Sequence, residues 1–149
     1  MIILFTIIFL CIDIVSKLLV DKLMIVGESI SIINNFFNIT YVRNTGAAWS
    51  VLAGKTWLLI IESLVIIFFI VFYVSKNKPE TIMEKIGYSL VLGGAIGNLF
   101  DRIVYGYVVD FFDFNIFGYD YPIFNLADSF ILVGVILLVI YTWRCKDGN

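Results

Sequence analysis

Two aspartates stand in apolar runs where charge is costly: Asp110 in "VVDFFDF" and Asp128 in "FNLADS". Two carboxyl groups held side by side do not readily both ionise; one keeps its proton and the other serves as a base. Such a pair activates a water for attack on an amide carbonyl, polarises that carbonyl, and then protonates the leaving amine. The chain contains no histidine, and its two cysteines, Cys11 and Cys145, lie near opposite ends. Ser-His and Cys-His nucleophile pairs and zinc held by His or Cys are thereby excluded. No metal ligand set and no cofactor motif is visible in the sequence.

The elements that must position these carboxylates are membrane helices. Of 149 residues, 61% are hydrophobic and 15% charged, whereas a soluble domain is about 45–50% apolar and about 25% charged. The net charge of −2 gives no reason to expect a nucleic-acid partner. A bilayer core about 30 Å thick takes roughly 20 helical residues, and four runs approach that length, at about 1–19, 56–74, 86–104 and 123–143. The first lacks the basic leader and small-residue cleavage site of a signal peptide, so it reads as a retained span. Lys76, Lys78 and Lys85 follow the second run, and Arg144 and Lys146 close the fourth. Positive-inside bias places these, and both termini, in the cytoplasm, against the opposing Lys22, Arg43 and Lys55. The expectation is therefore an all-α membrane protein, a single domain over 1–149 with four transmembrane helices. A small extracytoplasmic β-rich segment is expected at about 28–52, where Ile, Phe, Thr, Tyr and Val partly alternate with polar residues.

Ionisable groups inside spans are functional candidates by default, and each also has a structural reading. Asp13 and Lys17 lie four apart on one helical face: either an ion pair neutralising itself, or an inward-facing pair holding a functional group. Glu62 reads as an interfacial carboxylate. "RNTGAAWS" sets Arg43, Asn44 and Gly46 together, as a turn or as an amide and backbone site for a substrate's peptide groups. Gly93 and Gly97 have the spacing of close helix packing, which does not account for Asn98, Asp101 and Arg102 beyond them. Asp110 and Asp128 taken singly suit a cap or an ion pair. Placed together at the outer ends of the third and fourth helices, they suit the catalytic pair described above. Asn98, Asn125 and Arg102 would orient those carboxylates or bind a carbonyl.

Two rival chemistries fit less well. Ser16 and Lys17 are adjacent on a helix and do not face each other, while Ser50 and Lys55 lie in the outer segment, so a Ser-Lys peptidase lacks a geometry. A small ion-coupled transporter or channel subunit using intramembrane carboxylates is the non-enzymatic alternative.

"DIVSK" at 13–17, "RNTGAAWS" at 43–50, "GGAIGNLFDR" at 93–102, "VVDF" at 108–111 and "FNLADS" at 124–129, in that order, resemble the motifs of bacterial lipoprotein signal peptidase, the signal peptidase II family. The resemblance spans nearly the whole chain. It implies an aspartic endopeptidase of the bacterial cytoplasmic membrane, with its site at the outer face. That enzyme removes the signal peptide from diacylglyceryl-modified prolipoproteins by cutting before the lipidated cysteine. It implies Asp110 and Asp128 as the catalytic pair, with Asp13, Lys17, Asn44, Gly46, Asn98, Asp101, Arg102 and Asn125 around it. It also implies contact with membrane lipids and inhibition by globomycin-type cyclic peptides. Trp49 departs from the phenylalanine many members carry there.

Overall fold

The computed structural model describes residues 1–47 and 51–147. Four helices, α1 (Ile2–Leu23), α2 (Thr56–Asn77), α3 (Ile82–Val104) and α4 (Leu126–Asp147), are joined by strands β1 (Ser29–Ile33), β2 (Phe37–Asn44), β3 (Val108–Ile116) and β4 (Tyr119–Asp120). The strands form one antiparallel sheet in the order β1-β2-β3-β4. The expected four-run pattern thus corresponds to four helices. The strands extend beyond the expected segment, since β3 and β4 arise between α3 and α4, and residues 45–47 lie outside any strand. The all-α description is corrected to a helical bundle carrying a four-stranded sheet. The missed strand has a physical explanation. The first four residues of β3 are all buried, and a strand covered on both faces shows a continuous apolar run rather than alternation.

Helices α1, α2 and α4 are long and apolar enough to cross a membrane, with mean hydropathy of 2.5, 2.7 and 2.1. Their side chains face outward, as with Phe68, Phe69 and Leu132, each more than 60% exposed. α3 is the exception. It packs against all three other helices and buries Leu90, Val91, Leu92, Asn98, Leu99 and Asp101. Its glycines and charged groups lower its hydropathy because its neighbours are helices. A Cβ at Gly94 would strike the Ala127 carbonyl, and one at Gly97 would strike the Asp13 carboxylate, so these glycines set how closely α4 and α1 approach.

Local sequence fixes the helix ends. Thr81 and Glu84 form a reciprocal capping box at the start of α3. Lys78, at φ 44°, closes α2 in the left-handed region, and Pro79 follows where the helix can no longer continue. Asn125 and Asp128 cap α4 in the same reciprocal way: the Asn125 side chain accepts from the Asp128 N–H at 3.0 Å, and Asp128 Oδ2 accepts from the Asn125 N–H at 3.2 Å.

β2 is bulged. Ile39 faces Phe112 and Val42 faces Asp110, so Thr40 and Tyr41 together stand opposite Phe111. A small core of Val20, Tyr41, Val109 and Phe111 ties the sheet to α1, with Leu126 of α4 packed against it. The backbones of Phe111 and Phe112 both donate to the Phe124 carbonyl, at 3.0 and 2.7 Å, which draws the start of α4 onto β3.

Candidate active site

Asp110 lies on β3 and is 3% exposed. Its two carboxylate oxygens accept from two amides: Asn125 Nδ2 at 2.6 Å and Asn44 Nδ2 at 2.9 Å. Asp128 lies in the first turn of α4, where the helix end favours negative charge, and accepts from Asn98 Nδ2 at 2.8 Å. Asn125 Nδ2 also reaches Asn98 Oδ1 at 3.2 Å. The two carboxylates are therefore linked through Asn98 and Asn125. Burial, and then the nearby Asp128, push the Asp110 carboxyl up to about 7, against the lowering effect of the amide donors. Near neutrality this carboxyl retains a proton for much of the time.

Asp13, Lys17 and Asp101 form a second cluster beside the first. Lys17 Nζ lies 2.8 Å from Asp13 and 3.1 Å from Asp101, with all three side chains at most 4% exposed. Asp13 and Lys17 pair at helical spacing, and both side chains are buried. Asp13 also accepts from the Ala127 N–H at 3.0 Å, at the start of α4. Lys17 additionally donates to Asn98 Oδ1 at 2.9 Å. With that oxygen occupied by donors, the Asn98 amide nitrogen points at Asp128.

Asn44 is oriented in the same manner. Its Oδ1 accepts from the Gly46 N–H at 2.8 Å, so its Nδ2 turns to Asp110. The Gly46 N–H is thereby used within the turn; it is not free to hold a substrate. Arg43 points to the opposite face of the strand. Arg102 is half-buried, and its Nε is buried without a hydrogen-bond partner among the described residues. Glu62 is exposed on α2, and its charge reaches Arg102 more weakly than those of Asp128 and Asp110. Trp49 lies outside the described residues.

A cavity of about 670 Å³ opens onto this site. Asn44, Asn98, Arg102, Asp110 and Asp128 form its polar end, and Ile131, Leu132 and Val135 of α4 extend it along the bundle. A larger space of about 1190 Å³ lies between the hairpin tips, among Asn34, Asn38 and Asp120. It holds neither Asp110 nor Asp128, so the smaller cavity is the one that combines paired carboxylates with an apolar wall. Sequence reasoning did not single out Asp21 and Tyr41, which both meet Arg43 in the structure; Asp21 lies 22 residues away along the chain, so no local spacing signals the contact.

Buried Asp110 and half-buried Asp128 share this largely apolar cavity, and solved structures of bacterial membrane enzymes have the same fold. The fold matches a bacterial membrane enzyme determined by the in meso method at 2.3 Å, with a TM-score of 0.91 and 39% identity over 99% of this chain and 90% of that one. A second, at 1.9 Å, gives 0.84 and 41% over 95% and 91%. Residues 5–144 match the family described as signal peptidase (SPase) II. The lipoprotein signal peptidase of Staphylococcus haemolyticus is 44% identical over 140 residues, covering 94% of this chain and 87% of the relative. That of Staphylococcus aureus is 44% identical over 128 residues, covering 86% and 78%. The chain belongs to the signal peptidase II family.

Proposed function

We infer that this chain is an aspartic endopeptidase that removes the signal peptide from prolipoproteins, with Asp110 and Asp128 as its catalytic pair. Family membership carries the peptidase function and leaves the transporter alternative without support. The single observation that favours the pair is electrostatic and geometric together. Asp110 is buried and pushed up to about 7 with Asp128 beside it, and both line the same cavity.

The roles follow from their surroundings. Asp128, at the positive end of α4, acts as the base that takes a proton from water. Asp110, retaining its own proton, hydrogen-bonds the scissile carbonyl as the water attacks. The proton gained by Asp128 passes to the leaving amine as the tetrahedral intermediate collapses. Arg102 Nε, buried and without a hydrogen-bond partner among the described residues, is a donor for a substrate carbonyl, and Asn98 and Asn125 hold the two carboxylates in place. The apolar wall along α4 suits the signal helix and the acyl chains of a diacylglyceryl-modified cysteine, cut on its N-terminal side. Globomycin-type peptides would compete for this cavity.

We place the chain in the bacterial cytoplasmic membrane as a single domain, with α3 as a fourth span. At about 1.5 Å per residue, the 23 residues of α3 are long enough to cross. The short α2–α3 connection bears lysines, supporting cytoplasmic termini and a site at the outer face. The decisive experiment is processing of a purified diacylated prolipoprotein. Asp110→Asn and Asp128→Asn should each lose about 10²–10⁴ in rate while inserting and melting normally. Full activity in either variant rejects the pair.

A further inference from the structure

On the face of β2 opposite the cavity, three polar side chains meet. The Tyr41 hydroxyl donates to Asp21 of α1. Arg43 Nε donates to the same hydroxyl at 2.9 Å, and Arg43 Nη2 reaches Asp21 at 3.3 Å. The guanidinium lies 4.7 Å from the centre of the Tyr107 ring, just before β3. Tyr41 itself is 1% exposed, and its backbone is held by Glu28 and Gly27 at 3.0 and 2.9 Å. Burial, reinforced by Asp21, pushes its hydroxyl up to about 12, so the donor persists across the physiological range.

The position of this cluster in the strand gives it a consequence. Tyr41 belongs to the bulge, where β2 carries one residue more than β3. Side chains alternate between faces along a strand, so losing this extra residue from the bulge, which would slip the later pairing by one, would turn every following side chain to the opposite face. Asn44 follows the bulge. It pairs with Val108 and reaches Asp110 as a diagonal neighbour across the ladder. Arg43, one residue earlier, points the other way. Anchoring Tyr41 and Arg43 to α1 and Tyr107 therefore fixes which face Asn44 occupies.

We propose that Asp21, Tyr41 and Arg43 are positioning residues for the reaction, pinning the phase of β2 after its bulge so that the Asn44 amide stays aimed at the Asp110 carboxyl. None of the three lines the cavity, so they act through Asn44. The proposal rests on Asp110 belonging to the catalytic pair.

The test is a set of variants assayed as full-length protein on a diacylated prolipoprotein. Tyr41→Phe keeps the buried ring and removes only the hydroxyl; Arg43→Gln, at the exposed side of the cluster, removes the cation and serves if the first fails to fold. Each should lower kcat about 10- to 100-fold, the range expected of a displaced catalytic contact, with KM unchanged. In an Asn44→Ala background neither should lower kcat further. Arg43→Lys should restore part of the loss. A rise in KM alone, unchanged kcat, or losses that multiply with Asn44→Ala would overturn the proposal. Asp110→Asn is assayed in parallel: if it stays active the catalytic pair itself is wrong, whereas if it is inactive and the Tyr41 and Arg43 variants are normal, only the positioning role fails.

Discussion

Two carboxylate clusters lie side by side in this molecule, and they are built on opposite principles. In one, Asp13 and Asp101 share Lys17 at 2.8 and 3.1 Å, and none of the three lines the cavity. In the other, among the described residues, Asp110 and Asp128 accept from neutral donors, the side chains of Asn44, Asn98 and Asn125 and the Asn125 backbone N–H, and both face the cavity. Charge balanced at contact distance holds helices together. Charge left to amides, with an opening in front of it, stays available to move protons. Asn98 joins the two, since Lys17 occupies its oxygen and Asp128 its nitrogen. The lysine cluster thus orients the proposed catalytic pair without neutralising it directly.

The contrast is broken most sharply at Lys17. Replacing it with Met leaves Asp13 and Asp101 buried without their cation, and about 3–5 kcal/mol of stability should be lost. Thermal unfolding in detergent checks this against Asp128→Asn, whose melting should scarcely move. Equal destabilisation of both variants would erase the distinction between the clusters.

A smaller effect sharpens the chemistry. With its carboxyl pushed up to about 7 by burial and by Asp128, Asp110 as the acid should give a kcat that falls above about pH 7. Asn125→Ser keeps a capping residue on α4 but withdraws a donor that favours ionised Asp110. The alkaline limb should then move to higher pH, with kcat reduced about 10- to 100-fold, the worth of a hydrogen bond to a charged group. A limb that stays in place in that variant assigns it to another group. The same shift has a sign in stability. Folded Asp110 holds its proton more tightly than the unfolded chain, so its contribution is complete below about pH 4 and disappears as pH rises through about 7.

The smallest expected effect lies at the far end of the bundle. Thr81→Ala removes the α3 cap and should cost about 1 kcal/mol with kcat unchanged. A fall in kcat there would mean that the reactive cluster depends on the whole length of α3.

Much of this was legible in the chain itself. Apolar runs located the four helices, three of which are long and apolar enough to cross a membrane, and the absence of histidine left carboxylates, Lys, Arg, Ser, Tyr or an external cofactor for any chemistry. The motifs around Asp110 and Asp128 pointed to the pair proposed here because ionisable groups inside apolar runs have few cheap explanations. Asp13 and Lys17 were readable as a pair because helical spacing brings residues four apart together. Tertiary structure alone decided the rest. Strand β3 was hidden because burial on both faces removes the alternation that marks a strand. Lys17 had two carboxylates within reach, and only the packing of α1 on α3 at Gly97 decided that it holds both. Asn44 meets Asp110 through a bulge whose phase depends on contacts with α1. Local spacing encodes which residues share a helical face, but contacts between distant segments depend on how closely the backbones pack, and the glycines and the bulge settle that only in the folded chain.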